Sequence, residues 1–278
     1  MKIVTAIYEL NYVDERSGQI YKPFPLLTKT INEIIFDEHE YVIYTDIKTY
    51  QKYNFQNIYN KPNVKIKLQE LNSEFYISKL NPVRKNMLSK HELYDRIYTV
   101  NNYIEVIFNK LKFLIDESKN GENTVWIDSG LFGTSCHDGW RDYMCKICHT
   151  KEFLKKINEK INTYGFICLK GNDIQVNYLV KENIKNLFNK DIKIIPGGLF
   201  GGTTEMINKL LNNYQSIIDS YISHYNDLLS EQEILSILTY NESVKFFEFG
   251  DWLDLQRGIL EILDQLKINY KTETCYVD

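Results

Sequence analysis

Short apolar segments that end in polar residues recur along the chain, and segments with helical periodicity separate them. Residues 2–8, 41–46 and 124–128 have this pattern, and the last two end in Asp46 and Asp128. Such runs are typical of strands buried in an α/β sheet. Because they alternate with helical segments, we predict an α/β fold with a mainly parallel sheet flanked by helices.

The other segments follow the same two periodicities. Residues 63–68 alternate apolar side chains with lysines, which predicts a third strand near an edge of the sheet. The remaining predicted strands are 164–169, 192–195 and 244–249, and the predicted helices are 25–36, 151–162, 204–221, 231–238 and 251–265. Residues 89–119 are predicted to form one long helix or two abutting ones. With 278 residues and no linker or repeat, we expect a single domain with two unequal lobes.

Charge and hydropathy exclude some classes of protein. The chain has 33 Lys and Arg against 37 Asp and Glu, a formal net charge of −4. A dedicated nucleic-acid binder is normally basic because it must neutralise phosphates, so that class is disfavoured. No apolar run reaches the roughly 18 residues that span a bilayer, and the first residues lack a signal-peptide pattern. We expect a cytoplasmic protein without a transmembrane segment, and peripheral membrane attachment stays open.

Polar residues at strand ends are the first candidates for function, because ligands of parallel sheets bind beyond the carboxyl ends of the strands. Asp46 and Asp128 stand at such ends. Each has a structural alternative, since an acidic residue there also forms turns or caps the next helix. The same choice applies to Glu231 and Asp251, which begin predicted helices.

A glycine-rich segment at 196–202 is a second candidate. Its glycines are Gly197, Gly198, Gly201 and Gly202. A P-loop is excluded because Thr203 stands where the phosphate-binding lysine is required. We predict a loop whose paired glycines let a ligand approach the backbone closely, with a tight strand-to-helix turn as the alternative.

Cysteine and histidine cluster in a third segment. Its members are Cys136, His137, Cys145, Cys148 and His149. One Cys-x-x-Cys pair is half of a zinc site, but no second pair completes it. Structural zinc and buried free thiols both remain open.

Residues 3–8, 125–130 and 196–202 occur in this order, and Glu231 and Gln232 follow them. Together these segments resemble GT-A type glycosyltransferases, and most closely the bacterial HtrL/YibB-like (WlaTC-like) family, over nearly the whole chain. The resemblance implies a GT-A-like, Rossmann-like fold that binds a nucleotide-diphosphate sugar.

The resemblance also implies different roles for the two halves of the chain. Residues 1–130 would form the nucleotide-binding half, and residues 131–278 the acceptor-side half. The residues implied for the base and ribose pocket are Thr5, Ala6, Tyr8 and Asp46.

Asp128 falls where GT-A enzymes carry a D-x-D motif, with Ser129 after it and Gly130 in place of the second aspartate. The diphosphate charges must be neutralised as the sugar departs, and a divalent cation held by carboxylates does this. Either Asp128 and Asp251 hold Mn²⁺ or Mg²⁺, or cationic side chains stabilise the leaving diphosphate instead. The cationic candidates are Arg84 and Arg96.

The family pattern further places the glycine-rich segment against the donor sugar or the acceptor, and Glu231 near the acceptor as a base. We therefore expect transfer of a hexose from a UDP- or GDP-sugar to a glycan, a lipid-linked acceptor or another hydroxyl. Two alternatives remain. One is a non-catalytic glycan- or protein-binding module on the same scaffold, and the other is a zinc-stabilised interaction domain centred on residues 136–149.

Overall fold

The computed structural model describes residues 1–9, 13–14, 19–20, 31, 35–71, 77–83, 101–129, 147–171, 178–240 and 246–249. The strands in these ranges are β1 (Lys2–Ala6), β2 (Val13–Asp14), β3 (Gln19–Ile20), β4 (Glu40–Thr45), β5 (Val64–Leu68), β6 (Thr124–Ile127), β7 (Phe166–Leu169), β8 (Leu199–Gly202) and β9 (Phe247–Phe249). The α-helices are α1 (Ile47–Lys52), α2 (Phe55–Ile58), α3 (Asn101–Glu117), α4 (Ile147–Tyr164), α5 (Tyr178–Phe188), α6 (Thr204–Leu211), α7 (Tyr214–Tyr225) and α8 (Glu231–Thr239).

Seven of these strands form one sheet in the order β5-β4-β1-β6-β8-β7-β9, and β2 and β3 form a separate antiparallel ribbon. Within the seven-stranded sheet, only β8 runs against its neighbours β6 and β7. The chain leaves β1 for β4 on one side and later returns to place β6 on the other side. The strand order therefore reverses between β1 and β6, which is where open α/β sheets form their ligand crevice.

The sheet buries both faces because alternate residues of a strand point in opposite directions. Val4 and Trp126 belong to the face that packs on α3 and on α6 to α8. Ile3 and Val125 belong to the opposite face, which packs on α4 and on Phe55 of α2. Strands covered on both sides explain the continuous apolar runs of β1, β4 and β6 in the sequence.

The structure confirms the predicted fold class, a mainly parallel α/β sheet with helices on both faces. β5 lies at an edge of the sheet, as its lysines predicted. The predicted helix 204–221 is wrong in extent, because α6 ends at Leu211 and α7 begins at Tyr214. Helix α5 was not predicted, and the predicted helix 251–265 lies outside the described residues.

The division into a nucleotide-binding half at 1–130 and an acceptor-side half at 131–278 stays a prediction, and both parts contribute strands to the same sheet. Within the part of the chain that the structure describes, no helix is both long enough and apolar enough to cross a membrane.

Candidate functional site

Asp128 follows β6 directly, at the carboxyl edge of the sheet beside β1. Its backbone N–H donates to the Gly198 carbonyl at 2.8 Å, which ties this edge to the segment before β8. Its side chain faces the same side as Trp126, two residues earlier, and its Oδ1 accepts a hydrogen bond from the Trp126 indole Nε1 at 2.8 Å. The Asp128 side chain is 21% exposed, so this carboxylate is open to a ligand.

Lys110 reaches the same carboxylate from α3, which packs on this face of the sheet. Its ammonium lies 3.0 Å from Asp128 Oδ1 and donates to Asp128 Oδ2 at 3.3 Å. Burial alone lowers the pKa of Lys110, but the charges of Asp128 and Glu231 outweigh burial and raise it. The lysine is therefore a buried cation at any physiological pH.

Glu231 is the first residue of α8, and its Oε1 accepts a hydrogen bond from the same Lys110 ammonium at 3.0 Å. Ser230 caps this helix through a reciprocal capping box with Glu233, which fixes where α8 begins and hence where Glu231 points. Glu231 is only 3% exposed. Its burial raises the pKa of the carboxyl group, against the lowering effect of Lys110.

Gly197 forms the wall behind Glu231. A Cβ at this position would lie 3.0 Å from Glu231 Cγ and 2.7 Å from its Oε1, and the second distance is shorter than Cβ contacts in proteins. A side chain at position 197 would therefore force the Glu231 carboxylate to shift from its contact with Lys110. Gly197 and Gly198 both lie at the cluster formed by Asp128, Lys110 and Glu231.

The other two glycines of the segment have a different place. Residues 199–202 form the strand β8 and not the predicted loop, which is a correction to the sequence analysis. Gly201 pairs with Val125 and Gly202 with Thr124, at the end of β6 away from Asp128. A Cβ on Gly201 would lie 2.3 Å from the Thr124 carbonyl oxygen, so this glycine permits close strand packing. A ligand contact at Gly201 or Gly202 stays a prediction.

Three of the residues expected to line a base and ribose pocket are buried, and one of them already makes a hydrogen bond within the protein. Thr5, Ala6 and Tyr8 are each less than 9% exposed, and the Tyr8 hydroxyl donates to the Gln69 carbonyl at 3.1 Å. Burial raises the pKa of Tyr8. A donor pocket at these three residues stays a prediction.

Asp46 has the structural role that the sequence analysis kept as an alternative. Its Oδ1 accepts a hydrogen bond from the Thr49 N–H at 2.6 Å and so caps α1. Its side chain remains partly exposed at the carboxyl end of β4. A role in holding the base also stays a prediction.

The remaining predicted site residues divide into two groups. Ser129 is described, and it is a buried residue in the turn after Asp128. The others lie outside the described residues, and they are Arg84, Arg96, Gly130 and Asp251. Cys136, His137 and Cys145 also lie outside them, and only the backbone of Cys148 and His149 is described, as part of α4.

The described donors around Asp128 do not by themselves fit a divalent cation, and Asp251, the other predicted ligand, lies outside the described residues. No three His, Cys, Asp or Glu side chains converge anywhere in the described ranges. The Lys110 ammonium engages both oxygens of Asp128. A second cation there would be repelled, since two unit charges 4 Å apart already interact by about 4 kcal/mol near a protein surface.

Sequence reasoning found Asp128, Glu231 and the nearby glycines but missed Lys110. The signal was present in the helix pattern. Lys110 follows Ile107 by three residues and precedes Leu114 by four, which places a lysine within the apolar stripe of α3. A lysine in such a stripe must find a buried partner, since an unpaired buried charge is strongly unfavourable.

No family model matches the chain, and no curated protein matches it. Several solved structures are similar to it at low identity, among them the following three. The galactosyltransferase LgtC with donor and acceptor sugar analogues has a TM-score of 0.45 and 12% identity, over 86% of this chain and 70% of LgtC. An active-site mutant of LgtC has a TM-score of 0.47 with the same identity and coverage. Mouse xyloside xylosyltransferase 1 in its apo form has a TM-score of 0.44 and 10% identity, over 98% of this chain and 95% of that one.

Proposed function

We propose that the protein is a GT-A-like glycosyltransferase that transfers a hexose from a UDP- or GDP-sugar to a glycan, a lipid-linked acceptor or another hydroxyl. The sequence resemblance gives the reaction class. The observation that carries the proposal is the position of Asp128, a partly exposed carboxylate at the carboxyl edge of the sheet where the strand order reverses.

Asp128 suits a sugar ligand chemically. An ionised carboxylate accepts hydrogen bonds, and the ribose and hexose of a nucleotide sugar carry several hydroxyl donors. Trp126 Nε1 and Lys110 hold the carboxylate from the protein side, which leaves its exposed edge for such hydroxyls. Groups held in place before the substrate arrives lose less entropy on binding.

The countercharge for the diphosphate is a separate requirement. Lys110 does not meet it, because this lysine is buried and occupied by two carboxylates. Among the described residues of this site, Asp128 alone offers a partly exposed carboxylate to a divalent cation, and Lys110 already contacts both of its oxygens. Arg84 and Arg96 remain the predicted partners of the phosphates.

A thermal-shift titration with UDP, GDP and their sugar conjugates tests the proposal. A ligand that binds only the folded state stabilises it by about 2.7 kcal/mol at one hundred times its Kd. We expect the midpoint to rise with one nucleotide and to rise as much without Mn²⁺ as with it. Asp128→Asn keeps the size and the hydrogen-bond acceptor but removes the charge, and we expect it to reduce the shift.

Release of free sugar from the bound donor separates a transferase from a binding module. We expect slow donor hydrolysis by the wild-type chain and none by Asp128→Asn. Nucleotide binding without any hydrolysis would instead favour the non-catalytic module, and no shift with any nucleotide would reject the proposal. Metal analysis of protein purified without chelator decides the zinc-stabilised alternative at residues 136–149, which predicts one zinc per chain.

A further inference from the structure

One buried ammonium joins two carboxylates that come from different parts of the fold. Lys110 on α3 lies 3.0 Å from Asp128 at the end of β6 and 3.0 Å from Glu231 at the start of α8. We call these three residues the charge bridge. An ammonium has three donors, so Lys110 can serve both carboxylates at once.

The three members differ in exposure. The side chains of Lys110 and Glu231 are 7% and 5% exposed, whereas that of Asp128 is 21% exposed. A donor or acceptor molecule can therefore reach Asp128 directly but not Glu231. A direct role of Glu231 as base stays a prediction, and the observed contact favours an indirect role through Lys110.

The charge bridge is poorly explained by stability alone. Removing paired charges from water costs free energy, and well-packed apolar side chains of similar size often stabilise a protein at least as well. The neighbouring residues nevertheless pack closely around Lys110 and Glu231. Gly197 leaves space for the Glu231 carboxylate, and the Lys110 ammonium lies 5.8 Å from the centre of the Trp126 ring.

A role in orienting the Asp128 carboxylate explains why charged side chains are buried beside it. Trp126 Nε1 binds Oδ1 of Asp128 from one direction, and Lys110 binds both oxygens from another. Glu231 anchors Lys110 from behind, since its own position is set by the capped end of α8. The carboxylate is thus fixed by donors on two sides, with its open edge toward solvent.

We propose that Lys110 and Glu231 are positioning residues that hold the Asp128 carboxylate in the orientation in which it meets the donor sugar nucleotide. This inference rests on the proposed function for the identity of the ligand. The orientation of the Asp128 carboxylate does not depend on which ligand binds. Two separate tests therefore examine the orientation and the binding of the sugar nucleotide.

The first test follows Asp128 without any ligand. The Trp126 indole N–H resonance reports its hydrogen bond to Asp128, and comparison with Trp126→Phe assigns it among the three tryptophans of the chain. We expect Lys110→Met to shift this resonance, because the Asp128 carboxylate loses its contacts with the Lys110 ammonium. We expect Lys110→Arg to move it less, because the guanidinium keeps the charge. An unmoved resonance in Lys110→Met would overturn the proposal whether or not the protein is a glycosyltransferase.

The second test separates positioning from stability. Lys110→Met leaves Glu231 buried without a partner, so we expect it to lower the thermal midpoint and to weaken donor binding by about 10- to 100-fold. The double variant Lys110→Met with Glu231→Gln removes both buried charges. We expect it to regain most of the midpoint while donor binding remains weak.

The outcomes of the second test are distinct. If the double variant regains both the midpoint and donor affinity, the charge bridge is structural and the proposal fails. If the wild-type chain binds no nucleotide sugar while the indole resonance moves as expected, the proposed function fails and the positioning of Asp128 stands.

Discussion

The Glu231 carboxylate packs directly against Gly197, where a Cβ would lie only 2.7 Å from Glu231 Oε1. Gly197→Ala should therefore displace Glu231 and Lys110 with it. We expect a loss of about 1–3 kcal/mol in the free energy of unfolding, as in other overpacked interiors. Urea denaturation measures the loss, and nucleotide titration measures the expected weakening of donor binding.

Gly121→Ala is the control for this substitution. Gly121 has a φ of 79°, and no atom lies within 4 Å of the position that a Cβ would take there. Alanine at this position therefore costs backbone strain of about 1 kcal/mol without a clash. We expect Gly121→Ala to be destabilising but to leave donor binding unchanged. Equal effects of both variants on binding would show that Gly197 acts only through general stability.

Glu233 gives the protein a pH-dependent stability. Burial of its carboxyl group raises the pKa of Glu233 from 4.5 to about 7. Between those two values the folded state binds more protons than the unfolded state, so the contribution of Glu233 to the free energy of unfolding falls as the pH rises through this window. We expect Glu233→Gln to remove that contribution. The free energy of unfolding of the variant should therefore rise relative to that of the wild type from pH 5 to pH 7.

Glu233→Ala distinguishes the charge from the cap. The Glu233 carboxylate accepts a hydrogen bond from the Ser230 N–H at 2.6 Å, and glutamine retains an acceptor there while alanine does not. We expect the alanine variant to be about 1 kcal/mol less stable than the glutamine variant at every pH, as in other cap removals. Urea denaturation at pH 5, 6, 7 and 8 measures both effects. Parallel pH profiles for glutamine and wild type would contradict the pKa assignment.

Two buried tyrosines allow a paired test of hydrogen bonding. The Tyr44 hydroxyl donates to Glu117 Oε1 at 2.7 Å, and the same carboxylate also contacts Lys67. A hydrogen bond to a charged group contributes about 1.5–3 kcal/mol, so we expect Tyr44→Phe to lower the free energy of unfolding by that amount.

Tyr59→Phe is the matched control. The Tyr59 hydroxyl is buried and finds no hydrogen-bond partner within the described ranges. Removing an unsatisfied buried hydroxyl is neutral or stabilising. Denaturation should therefore separate the two tyrosines, and an equal loss at both would show that the hydrogen bond to Glu117 is not the cause.

Three of the strands that the sequence predicted are buried on both faces. β1, β4 and β6 are continuous apolar runs, which carry their own signal whatever their neighbours are. β8 lacks that signal because two of its four residues are glycine, a weak strand former. It becomes a strand because β6 and β7 bind it on both sides, and pairing between distant segments is not visible in a local pattern.

The candidate site follows the same division. Asp128 was predictable because it follows an apolar strand, and Glu231 because it begins a helix after a capping serine. Their meeting at Lys110 was not, because it depends on how α3 and α8 pack against each other on one face of the sheet. The hydrogen bond of Tyr8 was equally invisible in the sequence, because its hydroxyl donates to the Gln69 carbonyl, 61 residues away along the chain.

Trp126 should affect donor binding through a single hydrogen bond. Trp126→Phe keeps an aromatic ring in the core but removes the Nε1 donor that holds Asp128 Oδ1 at 2.8 Å. We expect donor affinity to fall about tenfold, the effect of losing one hydrogen bond to a charged group. The smaller ring also costs about 1–3 kcal/mol of stability, since Trp126 is 1% exposed.

Phe200→Leu supplies the comparison for that cost. Phe200 is the partner of Trp126 across β6 and β8 and is equally buried, and its ring carries no hydrogen-bond donor. We expect a similar loss of stability by urea denaturation but unchanged donor affinity by titration. If Phe200→Leu weakens donor binding as much as Trp126→Phe does, packing of this face and not the indole hydrogen bond controls the orientation of Asp128.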